Sequence, residues 1–308
     1  MAASSIAISG SAHAITAGPC GSLAGAPVPA RYEHIVVIMD ENFSYSSWLS
    51  STQVPYTHEL AAACGSEGFM HAATHPSKNN YIAATSGKIS SFASSDNIFN
   101  QAQKANNSWA NYAESEDTPC QATETGLYKT GHVPAFYFNN LHATTCPLYQ
   151  VPASSAYGFD SAIDNDQLPT YMWVSPNKCD AMYYSTACSN TNAQRRTVGD
   201  DWLRNFIPRL TALSSYQTGK TLIILTWDEG DYTKPRGIDC ADPIVYTVKS
   251  NACSIPTIVL SPYIKPGTID YSDQSLYTLL GTTEDLLGYQ RINGALTHPA
   301  SMRNGLGF

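Results

Sequence analysis

HIVVIM at residues 34–39 runs straight into Asp40-Glu41-Asn42, and TLIILTW at residues 221–227 runs into Asp228-Glu229-Gly230-Asp231. Unbroken apolar runs of this length, without polar alternation, read as strands buried on both faces, the pattern of a parallel sheet covered by helices. Phe69–Thr74, Ala135–Phe138, Thr170–Val174 and Thr257–Leu260 are further candidate strands, each short and bounded by polar residues or Gly/Pro. Between them lie helix-like stretches. One starts at Asp200 as N-cap and carries Trp202, Leu203, Phe206, Ile207 and Leu210 on one face, with Pro208 expected to kink or shorten it. Another spans about Gln274 to Leu287 and stops at Gly288. The polar stretches Asn100–Thr130 and Asp231–Ser254 read as loops, and no repeat or long linker interrupts Tyr32–Gly288. A doubly covered α/β sheet in one domain over residues 31–308 is therefore expected.

Composition narrows the partners. The 308 residues are 43% hydrophobic and 11% aromatic, which suits a packed core, and no apolar run is long enough to span a bilayer. Only 14% are charged, and 25 acids against 17 bases leave a net charge of −8. That balance argues against nucleic acid, since binding a phosphate backbone needs a basic face. The eight cysteines contain no C-x-x-C pair of the zinc or redox type. Disulfides in an exported protein are the favoured reading, with buried thiols as the alternative; Cys179 with Cys188 and Cys240 with Cys253 would each staple a polar stretch. The small-residue segment Met1–Ala14 ends in an A-x-A form, so residues 1–30 are expected outside the fold as an extension or signal remnant, and the protein is expected to be secreted or periplasmic.

In open α/β sheets ligands bind beyond the carboxyl ends of the strands. The polar residues there are Asp40-Glu41-Asn42, His75-Pro76-Ser77-Lys78-Asn79-Asn80 and Asp228-Glu229-Gly230-Asp231. Carboxylates from neighbouring strand ends repel by about 4 kcal/mol per contact at about 4 Å and an effective dielectric near 20, and a divalent cation relieves that. Hard oxygens suit Mg²⁺, Ca²⁺ or Mn²⁺ without excluding Zn²⁺ or iron. Ser77 is the candidate nucleophile, since the stretch from Lys78 to Gly87 can start a helix whose free N–H groups favour an anion or oxyanion. Each feature also has a plain structural reading: acids at strand ends cap helices, and serine is a common N-cap. The motifs of α/β-hydrolases, zincins, P-loop kinases and Rossmann dehydrogenases are absent from the chain.

MDEN (Met39–Asn42), HPSKNNYIAATSG (His75–Gly87), SPNKC (Ser175–Cys179), GDDWL (Gly199–Leu203), TWDEGD (Thr226–Asp231), PTIVLSPYIKPGT (Pro256–Thr268) and TTEDLLG (Thr282–Gly288) occur in this order. Together they resemble the phosphoesterase family of bacterial phospholipases C and acid phosphatases, a branch of the alkaline phosphatase superfamily. The resemblance implies a three-layer α/β/α sandwich on a mixed, largely parallel sheet. It also implies a divalent metal ion at Glu41, Asn42, Asp228 and Glu229, with Ser77 as the nucleophile that becomes a phosphoserine. His132, in YKTGHVP, matches a family histidine expected to bind the phosphoryl group or to protonate the leaving oxygen. Lys78, Asn80 and Asp231 are the residues expected to bind substrate.

The chain departs from the family at three places. Leu276 and the Met182-Tyr183-Tyr184 stretch stand where relatives carry histidines, and Asn79 replaces a usual proline. The expected function is an exported, metal-dependent phosphomonoesterase acting on a small phosphorylated substrate. The competing readings are a phospholipase C-like phosphodiesterase taking a phospholipid headgroup, without stable membrane insertion, and a non-catalytic binder of phosphorylated or carbohydrate ligands on the same scaffold. A sulfatase is disfavoured because Ser77-Lys78-Asn79-Asn80 lacks the C/S-x-P-x-R context. The oligomeric state is not legible in the chain.

Overall fold

A computed structural model of the chain describes residues 18–90, 95–142, 150–152, 158–188, 191–231, 240 and 252–308. The strands are β1 (His34–Asp40), β2 (Gly65–Glu67), β3 (Met70–His71), β4 (Trp109–Ala113), β5 (Gln150–Pro152), β6 (Tyr171–Ser175), β7 (Thr221–Trp227), β8 (Ser254–Ile255), β9 (Thr257–Leu260), β10 (Thr268–Asp270) and β11 (Gln274–Ser275). Eight of them form one sheet in the order β10-β2-β9-β7-β1-β6-β4-β5, and a small second sheet is ordered β11-β3-β8. In the main sheet only β9 runs antiparallel to its neighbours, β7 and β2. The two diagnostic runs lie side by side at its centre, paired in parallel from His34↔Thr221 to Asp40↔Trp227. Every residue of β7 is buried, as a strand covered by helices on both faces must be. The mixed, largely parallel α/β sheet is the expected one.

Local chemistry explains the helices. We label α1 (Pro55–Ala63), α2 (Ser77–Ser86), α3 (Asn192–Thr211), α4 (Leu276–Leu287) and α5 (Met302–Leu306). A capping box at Ser275 and Thr278 opens α4, and Gly288 closes it at φ 76°, where a Cβ would lie 2.3 Å from Arg31 Cζ. Gly87 ends α2 in the same left-handed conformation. None of the helices described is long and apolar enough to cross a membrane.

Four sequence expectations need correction. Ala135–Phe138 is no strand: Pro134–Tyr137 forms a 3₁₀ turn with the proline in its first turn. Phe69–Thr74 contributes only the two residues of β3, in the small sheet. The segment Asn100–Thr130, expected as loop, contains β4, an interior strand of the main sheet. Its sequence, WANYA, lacks an apolar run because Asn111 sits at its middle, satisfied by donating to Ser175 Oγ (3.3 Å) and accepting from Ala135 N (3.2 Å). The fourth correction is Asp200, which lies well inside α3 and does not cap it. Its carboxylate accepts from Tyr56 N and Thr57 N at 2.9 Å each, capping α1 from across the fold.

Part of the N-terminal stretch also belongs to the fold. Residues 18–30 were expected outside it, yet Cys20 is buried and disulfide-bonded to Cys64, and Gly21 N and Leu23 N both donate to Pro262 O. The A-x-A segment lies outside the described residues. The expected Cys179–Cys188 and Cys240–Cys253 bridges are present, and Cys120 is disulfide-bonded as well. The capping role of Asp200 is open to measurement. Asp200→Ala leaves two amides at the start of α1 unpaired, and chemical denaturation should show a loss of about 2 kcal/mol.

Candidate active site

The parallel register of β1 and β7 carries both strands to the same level, so the residues that follow them meet. Asp228 N donates to Asp40 O (3.0 Å), Asn42 N donates to Asp228 Oδ1 (2.9 Å), and Asn42 Nδ2 donates to Glu229 Oε1 (2.8 Å). Asn42 takes φ 24°, in the left-handed region that asparagine tolerates better than most residues, which turns the chain after Glu41. Arg195 anchors this turn through Asn42 O (3.4 Å) and Met182 O (2.7 Å).

Ser77 arrives from the far side as the first residue of α2. Its Oγ donates to Glu41 Oε2 at 3.1 Å and lies 3.4 Å from Glu229 Oε1. Tyr81, one helical turn on and hence on the same face, donates its hydroxyl to Glu41 Oε1 (3.1 Å). That i, i+4 spacing was visible in the sequence and could have found Tyr81. His132, on a 3₁₀ turn at Thr130–His132, stacks on the Tyr81 ring and places Nε2 2.8 Å from Glu41 Oε1. Glu41, Asn42, Asp228, Glu229, Ser77 and His132 thus form one cluster.

Electrostatics follow from burial. Glu41, Asp228 and Glu229 have almost no exposed surface. Burial, then Glu229, pushes the Glu41 carboxyl up to about 8, and burial together with Glu41 and Glu229 raises Asp228 well above the carboxylate range. Burial and the nearby Lys129 lower the His132 imidazole to about 3, so the ring is neutral at ordinary pH. His75 behaves oppositely. Burial would lower it, but Glu229 Oε2 lies 3.0 Å from Nδ1 and Ala252 O lies 2.7 Å from Nε2, and these partners raise it.

Three buried carboxyls facing one another are the donor type that a hard divalent cation requires. Among the described residues Asp228 Oδ2 is buried without a hydrogen-bond partner. No three of the described His, Cys, Asp and Glu side chains already stand as a closed ligand shell, and Asn42 turns its amide N–H, not its oxygen, toward Glu229. The oxygens fit such an ion in kind; closing the shell requires the Asn42 amide to reverse.

The residues expected to bind substrate fall in different places. Lys78 stands at the mouth of a cleft of about 350 Å³ with its ammonium 4.1 Å above the Tyr137 ring, and Ser77, Lys129, His132 and Tyr183 also line that cleft. Asn80 is fully buried: Oδ1 accepts from Ala73 N and Thr74 N, and Nδ2 donates to Thr74 O and lies 3.3 Å from Glu229 Oε2. It shapes the turn before Ser77. Asp231 is held by Ser47 and by Arg196 (3.0 Å), and no contact among the described residues joins it to the cluster. Tyr183, where relatives have histidine, packs edge-on against His132, while Leu276 is buried at the start of α4. His298 stacks on Tyr277. Sequence reading missed the cleft partners Lys129, Glu124 and Tyr137, which come from irregular segments without periodic signal.

Residues 44–288 match the phosphoesterase family. The chain is 26% identical over 299 residues to a phosphatidylinositol-3-phosphatase of Mycobacterium tuberculosis, covering 92% of this chain and 86% of that protein. It is 28% identical over 219 residues to an acid phosphatase of Aspergillus fumigatus, covering 65% of this chain but only 43% of that one. Among solved structures, a protein in the alkaline phosphatase superfamily from Vibrio parahaemolyticus superposes with a TM-score of 0.60 at 14% identity, covering 95% of this chain and 76% of the other. The chain belongs to the phosphoesterase family, on the fold of the alkaline phosphatase superfamily.

Proposed function

We propose that this protein is an exported, metal-dependent phosphomonoesterase that acts through a phosphoserine on Ser77. The observation that carries the reading is the Ser77 hydroxyl at the head of α2, donating to Glu41 and open to the cleft. Relatives named as phosphatases and the disulfides of the chain support the substrate class and the export.

In this reading the Ser77 hydroxyl, held toward Glu41, loses its proton to solvent as Oγ forms a bond to phosphorus. The bond between phosphorus and the ester oxygen breaks, and the alcohol leaves into the cleft with a proton from water. A second water then attacks the phosphoserine, its oxygen going to phosphorus and one of its protons to Ser77 Oγ, and inorganic phosphate departs. A divalent cation at Glu41, Asn42, Asp228 and Glu229 would neutralise the carboxylates and favour the Ser77 alkoxide. His132 and Tyr81 hold Glu41 in orientation. A buried, neutral His132 pressed against Glu41 suits that role better than protonating a leaving group. The cations of Lys78 and Lys129 at the cleft wall attract the substrate anion, with Lys129 partly neutralised by Glu124 at 2.8 Å.

Hydrolysis of p-nitrophenyl phosphate and of its bis-ester tests the proposal. Ser77→Ala should lower kcat on the monoester on the order of 10³-fold or more. A chelator should abolish activity and a divalent ion restore it. Preference for the bis-ester would favour the phosphodiesterase reading, and silence on both esters across metals would favour a binding protein.

Asn80 gives a separate measurement. Asn80→Ala removes three buried hydrogen bonds to the backbone of Ala73 and Thr74, so unfolding should show a loss of about 2–4 kcal/mol. Its kcat should fall more than KM rises. A pure KM effect with unchanged stability would return Asn80 to the substrate.

A further inference from the structure

At the opposite edge of the main sheet from β5, the outermost strand β10 pairs in parallel with β2, and the register sets Asp270 beside Glu67. Both side chains are buried, at 8% and 0% exposure. Among the described residues the ionisable neighbour that acts on Glu67 is Asp270, and burial together with this second carboxyl pushes Glu67 up to about 9. Asp270 Oδ1 accepts from Ser272 N (2.9 Å), and its Oδ2 accepts from Ser272 Oγ (2.6 Å) and Gln274 Nε2 (3.2 Å). Glu67 meets Asp270 carboxyl to carboxyl, and among the described residues neither its two oxygens nor Gln274 Oε1, all buried, has any other hydrogen-bond partner. A proton shared between the two carboxyls would satisfy one Glu67 oxygen and leave the other two atoms bare. A cation can serve all of them, because reversing the Gln274 amide alters no shape and turns Oε1 toward Asp270.

We propose that Glu67, Asp270, Gln274 and Ser272 bind a divalent cation of the calcium class that fastens β10 and the C-terminal helix to the sheet. An all-oxygen set of carboxylates, amide and hydroxyl, buried with little room for water, suits Ca²⁺ better than Mg²⁺, which keeps several waters. The backbone of α5 closes the site from outside: a Cβ on Gly305 would lie 2.0 Å from Asp270 Cγ. This site is separate from Ser77 and does not rest on the hydrolase reading.

Equilibrium dialysis with ⁴⁵Ca²⁺ and thermal unfolding with and without Ca²⁺ test it on the full chain, on Glu67→Gln and on Asp228→Asn. Glu67→Gln should bind one ion fewer than the parent, lose the Ca²⁺-dependent rise in Tm, and keep its hydrolytic rate at saturating metal. Asp228→Asn should retain that rise. Should Glu67→Gln not fold, Asp270→Asn takes its place, and the ⁴⁵Ca²⁺ count of Asp228→Asn still decides: one ion upholds the site and none overturns it. Equal ion counts in parent and Glu67→Gln, or no Ca²⁺ effect on the Tm of Asp228→Asn, would overturn the site and leave a proton-sharing pair. A parent that binds one Ca²⁺, lost in Glu67→Gln and kept in Asp228→Asn, would uphold this site.

Discussion

Everything in the candidate site depends on one register. Because β1 and β7 run parallel and in step to Asp40↔Trp227, the residues that follow them enter the same small volume. Glu41, Asp228 and Glu229 must then face one another away from water, a charge arrangement that a folded chain tolerates only with compensation. The surrounding structure supplies it in hydrogen bonds: Asn42, Tyr81 and Ser77 all donate into the cluster, and His75 adds a raised imidazole against Glu229.

The second tier of contacts keeps those donors in place. Asn80 fixes the turn that delivers Ser77, and the Cys240–Cys253 bridge stands behind that turn, with Cys240 N donating to Ala73 O and Ala72 N donating to Cys253 O. Ala252 O receives both His75 and Gly230 N, so the loop after β7 and the turn before α2 share one acceptor. The site is positioned by these polar bonds more than by apolar packing, and it is sensitive to the loss of any one of them.

How much was legible in the chain varies with the kind of signal. The central strands were readable because burial on both faces forces an unbroken apolar run, and α4 because Ser275 and Gly288 mark its ends. The candidate nucleophile and the acidic cluster followed from strand ends and from ordered motifs. β4 was not readable, because Asn111 meets its hydrogen-bonding needs through Ser175 and Ala135, partners remote in sequence. Asp200 looked like the cap of its own helix and caps another, since a carboxylate carries no mark of which amides it will reach. Asn80 is taken up by the backbone of Ala73 and Thr74 and by Glu229, and Asp231 by Ser47 and Arg196, partners that a position beside Ser77 or Glu229 in the sequence does not reveal. The cleft walls, drawn from Glu124, Lys129 and Tyr137, depend on tertiary assembly alone.

Tyr183 sits inside the loop closed by Cys179 and Cys188, nine residues apart, and forms one wall of the cleft. The floor of the candidate site comes from strand ends and from α2, whereas this wall is a small covalent ring with both ends pinned. Variation inside the ring can therefore reshape the entrance while the chemistry beneath stays untouched. For an evolving lineage, or for a designer grafting loops, it is an interchangeable cassette through which one hydrolytic machine could be offered to different phosphate esters.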